Sequence, residues 1–346
     1  MSQSTRLLGA CRLEQVDCTP VWFMRQAGRY MPEYRQLRER YGLLDMFKTP
    51  ELAVEVTLQP MKAFDIDAAI IFTDILLPLE GMGIEIEFVE GEGPVIHNPV
   101  RTAADVAALE IPDPEEHFSY VLTGLRWVRE ELNDRVPLIG FAGAPFTLAS
   151  YMIEGAASRN YLLTKRLMYE AAPTWHTLMN KLVATLSAFL LAQARAGAQV
   201  IQLFDSWVGC LGPADYRDYV QPHTKKIFEA LSETRIPTIH FGTGTSDLLP
   251  LMREAGGHVL GVDWRSHLDE AWKRIGLDTG IQGNLDPMTL MAPWPILRDR
   301  AKEILDRAAG RPGHIFNLGH GILPATPVDS VKALAAFVHE YSSQKS

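Results

Sequence analysis

The sequence predicts an α/β fold: a single distorted (β/α)8 TIM-type barrel with an N-terminal arm and a small β-hairpin excursion, one domain over residues 1–346. Three observations predict it. Eight short apolar runs recur along the chain, and helical patterns separate most of them. No Gly-, Pro- or Ser-rich linker, internal repeat or low-complexity tract divides the sequence. Nearly continuous apolar runs are what parallel strands buried on both faces require.

The first run, VWFM at 21–24, is short and ends in RQAGRY, so it is either a barrel strand or an N-terminal arm. AAIIFTD follows at 68–74. GIEIEFVEGEGPVIHNPV at 83–100 alternates and turns at 91–93, the pattern of a hairpin. VPLIGFAG (136–143) and AQVIQLFDS (198–206) bracket a helix predicted over 173–196, with Pro173 in its first turn and Gly197 as its stop. IPTIHFGTG (236–244), HVLGVDW (258–264), GIQGNLD (280–286) and HIFNLGHG (314–321) complete the eight. In the last helix Thr326-Pro327-Val328-Asp329 resembles a capping box, and the apolar stripe is Val331, Leu334, Phe337, Val338 and Tyr341. An open α/β sheet is the alternative architecture. Gly-rich positions at 81–83 and the turn at 90–99 are candidates for loops that close over a ligand.

Lys and Arg number 33 against 42 Asp and Glu, a formal charge of −9, with 47% apolar and 22% charged residues. So apolar a chain can bury enough surface to offset its ordering entropy, which excludes disorder as the main state. The acidic balance argues against a nucleic-acid binder, so an anionic ligand must meet a local Arg or Lys cluster. Three cysteines (Cys11, Cys18, Cys210) fit a reducing compartment without a disulfide framework. The start MSQSTRLLGACRLEQ lacks a signal-peptide core, and the apolar stretch 182–192 is too short to span a bilayer. The expected location is cytoplasmic, away from membranes.

Reactive groups of a barrel lie where strands end, which gives Asp74, Tyr151, Asp205, Ser206, His240, Asp263, Asn284 and His320. Asp74 closes an apolar strand. It either caps a helix or is aimed into a site, where its carboxylate could accept N–H bonds and stabilise positive charge. Between residues 25 and 40 five arginines (Arg25, Arg29, Arg35, Arg38, Arg40) face only Glu33 and Glu39. Arg35, Arg38 and Arg40 read as a solvated helix face. Arg25 and Arg29 flank Gly28, where backbone N–H groups can approach an anion, and a guanidinium grips a carboxylate with two parallel bonds. His320, between two glycines, could bond an anion or pass a proton; a turn histidine without a role is the competing reading.

Other chemistries lack their residues. His240-Phe241-Gly242 offers one zinc ligand where His-x-Cys would offer two, and Cys210 and His223 have no partner in sequence. There is no phosphate-binding Gly-x-x-x-x-Gly-Lys, no strand-anchored Gly-x-Gly-x-x-Gly, and Ser206 is not on a nucleophile elbow.

PVWFMRQAGRYMPEYR at 20–35 and GFAGAPFTLASYMIEG at 140–155 resemble the two hallmark segments of the uroporphyrinogen decarboxylase family. IIFTDILLPLEGMG, IQLFDSWVG and NLGHGILPATP fall in that family's order, so the resemblance covers nearly the whole chain. It implies a homodimer without metal or organic cofactor that removes CO2 from the four acetates of uroporphyrinogen III, giving coproporphyrinogen III. By the same resemblance Arg25 and Arg29 bind substrate carboxylates, with the Gln26, Ala27 and Gly28 backbone lining the contact. Asp74 accepts the pyrrole N–H bonds, and Tyr151, Ser206 and His320 meet acetate and propionate groups. Asp74 and Arg25 are the implied catalytic residues; positions around Ser206 vary within the family.

Two rivals remain. Zinc-dependent methyltransferases acting on corrinoids and thiols share the barrel, but they carry a His-x-Cys and a second Cys where this chain has His240-Phe241-Gly242 and Leu318-Gly319-His320. They also lack RQAGRY. A non-catalytic porphyrinogen carrier is the other, disfavoured by Asp74 standing with both arginines.

Overall fold

The computed structural model describes residues 3–89 and 93–344. Seven strands form one parallel sheet: β1 (Ala69–Ile70), β4 (Leu138–Gly143), β5 (Val200–Asp205), β6 (Thr238–Gly242), β7 (Val259–Gly261), β8 (Gly280–Gln282) and β9 (His314–Ile315). They pair in that order, with Ala69 opposite Leu138, Ile139 opposite Val200 and Gln282 opposite Ile315. The strands of this sheet are buried, as the continuous apolar runs require, except at Phe204 of β5, which is partly exposed.

The first run takes the eighth place without becoming a ladder strand. Phe316 N–H donates to Pro20 O at 2.8 Å on one side, and Asp67 N–H donates to Val21 O at 2.8 Å on the other. Val21 N–H in turn donates to the buried Asp67 carboxylate at 2.7 Å. The segment therefore bridges β9 to the approach of β1 through a single parallel bridge, Val21 to Phe316. Its pairing stops there because the chain turns at Phe23, whose carbonyl accepts Gln26 N–H at 2.9 Å.

The predicted hairpin is present: β2 (Ile86–Val89) pairs antiparallel with β3 (Gly93–Ile96), and Val89 faces Gly93. Of its turn, 90–92 lies outside the described residues. A Cβ at Gly81 would lie 2.8 Å from Phe118 and 2.9 Å from Pro112, so close packing is the reason for that glycine.

The long helix runs Ala172–Arg195, and Gly197 stops it at φ +114 with Arg129 packed where a Cβ would stand. By length and composition it is apolar enough to cross a membrane, which the stretch at 182–192 did not suggest. Half of the apolar window is buried inside the protein, with Trp175, Leu178, Leu182, Leu186 and Phe189 on its inner face.

One cap is corrected. The last helix is Val328–Ser343, and Pro327 takes the N-cap, so Thr326 stands one residue too early. Its hydroxyl is buried without a hydrogen-bond partner. A capping box forms instead at Thr102 and Asp105. The stripe holds: Val331, Leu334 and Val338 are buried, with Phe337 and Tyr341 packed beside them.

Candidate functional site

The site forms where the first and last barrel staves meet. Asn317 Oδ1 accepts both Met24 N–H (3.1 Å) and Leu318 N–H (2.8 Å), and Ile322 N–H donates to Met24 O at 2.9 Å. This fastens the RQAGRY segment against Gly319-His320-Gly321. Arg25 adopts φ +61, a backbone region that side-chain-bearing residues occupy rarely and at a cost. What holds it there is Gln26. That side chain is fully buried, accepts Phe23 N–H at 3.1 Å and donates to Ala68 O at 3.0 Å, while Tyr30 O–H bonds its carbonyl at 2.7 Å. Gln26 is thus a plug that sets the turn, with Ala27 and Gly28 half-buried and Arg29 exposed.

Arg25 lies directly on Gly321. A Cβ at that glycine would stand 2.4 Å from Arg25 Cδ and 2.6 Å from Cγ. Asp74 follows β1, and its Oδ1 accepts Leu76 N–H at 2.9 Å, opening the turn that leads into helix Leu77–Gly81. Asp74 does not cap that helix, whose N-cap is Leu76 without a side-chain bond, and its Oδ2 has no protein partner among the described residues. Burial pushes its carboxyl above the ordinary carboxylate value, against the Leu76 N–H and the Arg25 charge.

Tyr151 sits on helix Pro145–Glu154, which begins as β4 ends. Its ring stacks on Trp207 with centroids 3.7 Å apart, and Tyr161 meets the same indole edge-on at 5.4 Å. Burial first and then the Asp74 charge keep its hydroxyl protonated, with Arg25 opposing. His320 Nδ1 accepts Gly321 N–H at 2.6 Å, which leaves the ring proton on Nε2. Burial pushes this imidazole down to about 4, and the Arg25 charge acts in the same direction. His320 is therefore a neutral hydrogen-bond donor near pH 7.

Arg25, Asp74, Tyr151 and His320 thus gather around one place at the C-terminal ends of the strands, joined by the charge of Arg25. Ser206 follows β5, partly exposed, with its carbonyl taken by the Thr243 hydroxyl. The remaining strand-end groups have structural partners. Asp205 is fully buried and accepts Thr147 O–H at 2.9 Å. His240 is turned inward toward Met252 O. Asp263 and Asn284 are spent on loop backbone, Asp263 on Gly244 and Arg265 N–H, Asn284 on the carbonyls of Asp263 and Ser266.

Over residues 2–341 the chain matches the family described as uroporphyrinogen decarboxylase (URO-D). The uroporphyrinogen decarboxylase of Roseiflexus sp. (strain RS-1) is 58% identical over 345 residues, 98% of this chain and 99% of its own length. That of Carboxydothermus hydrogenoformans is 56% identical over 336 residues, 97% of this chain and 96% of its own. The chain belongs to the uroporphyrinogen decarboxylase family.

A methyltransferase from Methanosarcina mazei has the same fold, with a TM-score of 0.83, 21% identity and 99% of both chains covered. That similarity speaks for the barrel alone. Among the described residues, no three His, Cys, Asp or Glu side chains gather in a way that could hold a metal ion. The donor set a zinc methyltransferase needs is not assembled.

Three residues of the site escape sequence reading. Trp207 is the wall on which Tyr151 rests. Thr147 donates to Asp205 and accepts Trp207 N–H at 3.2 Å, so it ties that wall to the helix carrying Tyr151. The spacing of Thr147 and Tyr151, one helical turn apart on one face, was the available signal. Arg265, beside Asp263 at the mouth, is the third.

Proposed function

We infer that this chain decarboxylates uroporphyrinogen in tetrapyrrole biosynthesis, converting the four acetate side chains of uroporphyrinogen III to methyl groups and giving coproporphyrinogen III. The observation that carries this reading is Asp74, a carboxylate at the barrel mouth with one oxygen fixed by a backbone N–H and the other free beside Arg25. The substrate has four pyrrole N–H groups at its centre and eight carboxylates around its rim. One acceptor at the centre and cationic or neutral donors around it are the complementary arrangement.

Each acetate leaves by the same steps. A proton adds to the ring carbon beside the acetate-bearing one and makes a cationic pyrrolenine. The C–C bond to the carboxylate then breaks, its electron pair forms the exocyclic double bond, and CO2 departs. The exocyclic carbon takes up a proton and the ring carbon loses one, so each turnover consumes one proton net and leaves a methyl group. No step calls for a metal or organic cofactor. Asp74 accepts the pyrrole N–H bonds and lowers the energy of the cation by several kcal/mol, on the scale of a preorganised charge stabiliser. His320 is neutral, so it serves by donating from Nε2 to a substrate carboxylate. Arg25 then takes the role of proton donor as well as carboxylate ligand, a demanding one because a guanidinium is a very weak acid. Arg29, the Gln26–Gly28 backbone, Tyr151 and Ser206 complete the binding surface.

The same reading takes the enzyme as one barrel domain that works as a cytoplasmic homodimer, with no nucleic-acid or membrane partner. The net charge of −9 supports the absence of nucleic acid. Exposed Met288, Met291, Trp294 and Ile296 are apolar surface a second copy would cover.

The test is anaerobic incubation of the purified, EDTA-treated protein with uroporphyrinogen III, followed by separation of the oxidised products. The reading predicts a ladder of hepta-, hexa-, penta- and tetracarboxylic porphyrins. Intact substrate alongside folded protein overturns it.

A further inference from the structure

A second arginine stands close enough to His320 for its charge to act on that ring, as Arg25 does, and the proposed reaction gives it no role. Arg265 follows β7 by four residues. Its Cζ lies 4.4 Å from the centroid of the Trp264 ring, and one of its terminal nitrogens, Nη1, pairs with Asp263 Oδ2. Asp263 is itself immobile. Its two oxygens accept Gly244 N–H at 2.6 Å and Arg265 N–H at 3.0 Å, and Asn284 Nδ2 donates to its carbonyl at 2.8 Å. The loop also backs directly onto the site: a Cβ at Gly319 would stand 2.5 Å from Trp264 N and 3.0 Å from the Asp263 carbonyl carbon. Asp263 and Arg265 are among the charges that His320 senses.

A guanidinium presents five N–H donors in a rigid fork. Asp263 takes only Nη1, and the side chain remains 55% exposed, so Nε and Nη2 have no partner among the described residues. Stacking on Trp264 and the Asp263 contact have already ordered a long side chain, so little rotamer freedom is left to lose when an anion binds. We propose that Arg265 is a specificity-determining residue that grips a carboxylate of the substrate on the His320 side of the mouth. The proposal rests on the uroporphyrinogen reading, because it needs a ligand whose carboxylates reach across the whole opening. Arg25 packs on Gly321 and the Trp264 backbone packs on Gly319, so the two guanidinium-bearing segments meet the glycines on either side of His320 in the chain, and a macrocycle centred on Asp74 would meet guanidinium donors at two points of its rim.

The test compares wild type, Arg265→Gln and Arg265→Lys in steady-state decarboxylation of uroporphyrinogen III, with thermal melting of each as the fold control. Arg265→Gln is expected to raise KM about tenfold with kcat within about twofold, since the lost bond is one that substrate and transition state share. Arg265→Lys keeps a cation for Asp263 but loses the fork, so it is expected to fold as wild type and still raise KM several-fold. An unchanged KM in the folded Lys variant overturns the proposal, whatever Arg265→Gln does. A wild-type protein that leaves uroporphyrinogen intact overturns the functional reading instead, so the two failures are told apart.

Discussion

Asp205 offers a prediction whose size follows from its surroundings. It ends β5 with no exposure to solvent, accepts one hydrogen bond from Thr147, and leaves Oδ2 without a partner. Burial pushes its carboxyl from 3.8 up to about 7, with the Thr147 bonds opposing. In the unfolded chain the same group titrates near 3.9. Below that value both states hold the proton and there is no penalty. As pH rises toward 7 the unfolded chain releases it first, so folding stability declines across roughly pH 4 to 7. The gap from 3.8 to about 7, at about 1.4 kcal/mol per pH unit, makes the full loss about 4 kcal/mol by pH 8. Asp205→Asn removes that titration and keeps an acceptor for Thr147. Its buried amide carries a desolvation cost of about 1–3 kcal/mol, but this cost does not vary with pH. Urea unfolding of both proteins between pH 4.5 and 8 reads the difference directly. The stability of the variant relative to wild type should rise by several kcal/mol over that range. The groups that sense Asp205, Tyr216 and Cys210, do not intrude. Burial holds Tyr216 well above its ordinary value and pushes Cys210 up to about 11. A difference that stays constant with pH would refute the reasoning.

Gly321→Ala places a methyl 2.4–2.6 Å from the Arg25 side chain. It should displace Arg25 and cut kcat/KM by tenfold or more while the melting temperature moves only a few degrees; an active variant would mean Arg25 is not needed where it lies. Arg25→Lys and Arg25→Ala test the proton-donor role, and both should lose kcat. Variants that keep kcat and lose only affinity would confine Arg25 to binding.

The seven strands of the sheet were legible because parallel strands buried on both faces demand unbroken apolar runs. The first apolar run was ambiguous for a physical reason: its pairing ends where Gln26 turns the chain, and that turn depends on Ala68, far away in sequence. Thr326 was misread because its spacing to Asp329 is right while Pro327 occupies the position that caps. In the site, Arg25 and Asp74 stood out as charges inside apolar or glycine-broken segments. Asp263 and Asn284 looked equally promising, yet their polar atoms go to neighbouring loops. Trp207 and Arg265 were invisible, since a stacking wall and a tethered guanidinium exist only once separate strands have been brought together.

In the proposed reaction Asp74 stabilises the cation formed on the pyrrole more than it holds the substrate. Asp74→Asn removes the charge and leaves a single side-chain oxygen, which Leu76 N–H and the pyrrole N–H groups must share. Single-turnover decarboxylation under anaerobic conditions, with substrate affinity measured separately, tests this most directly. The expected result is a rate constant lower by about 10²–10³, the scale for losing one preorganised charge-stabilising group, with affinity falling far less. A rate constant near wild type, or affinity and rate falling together, would contradict it.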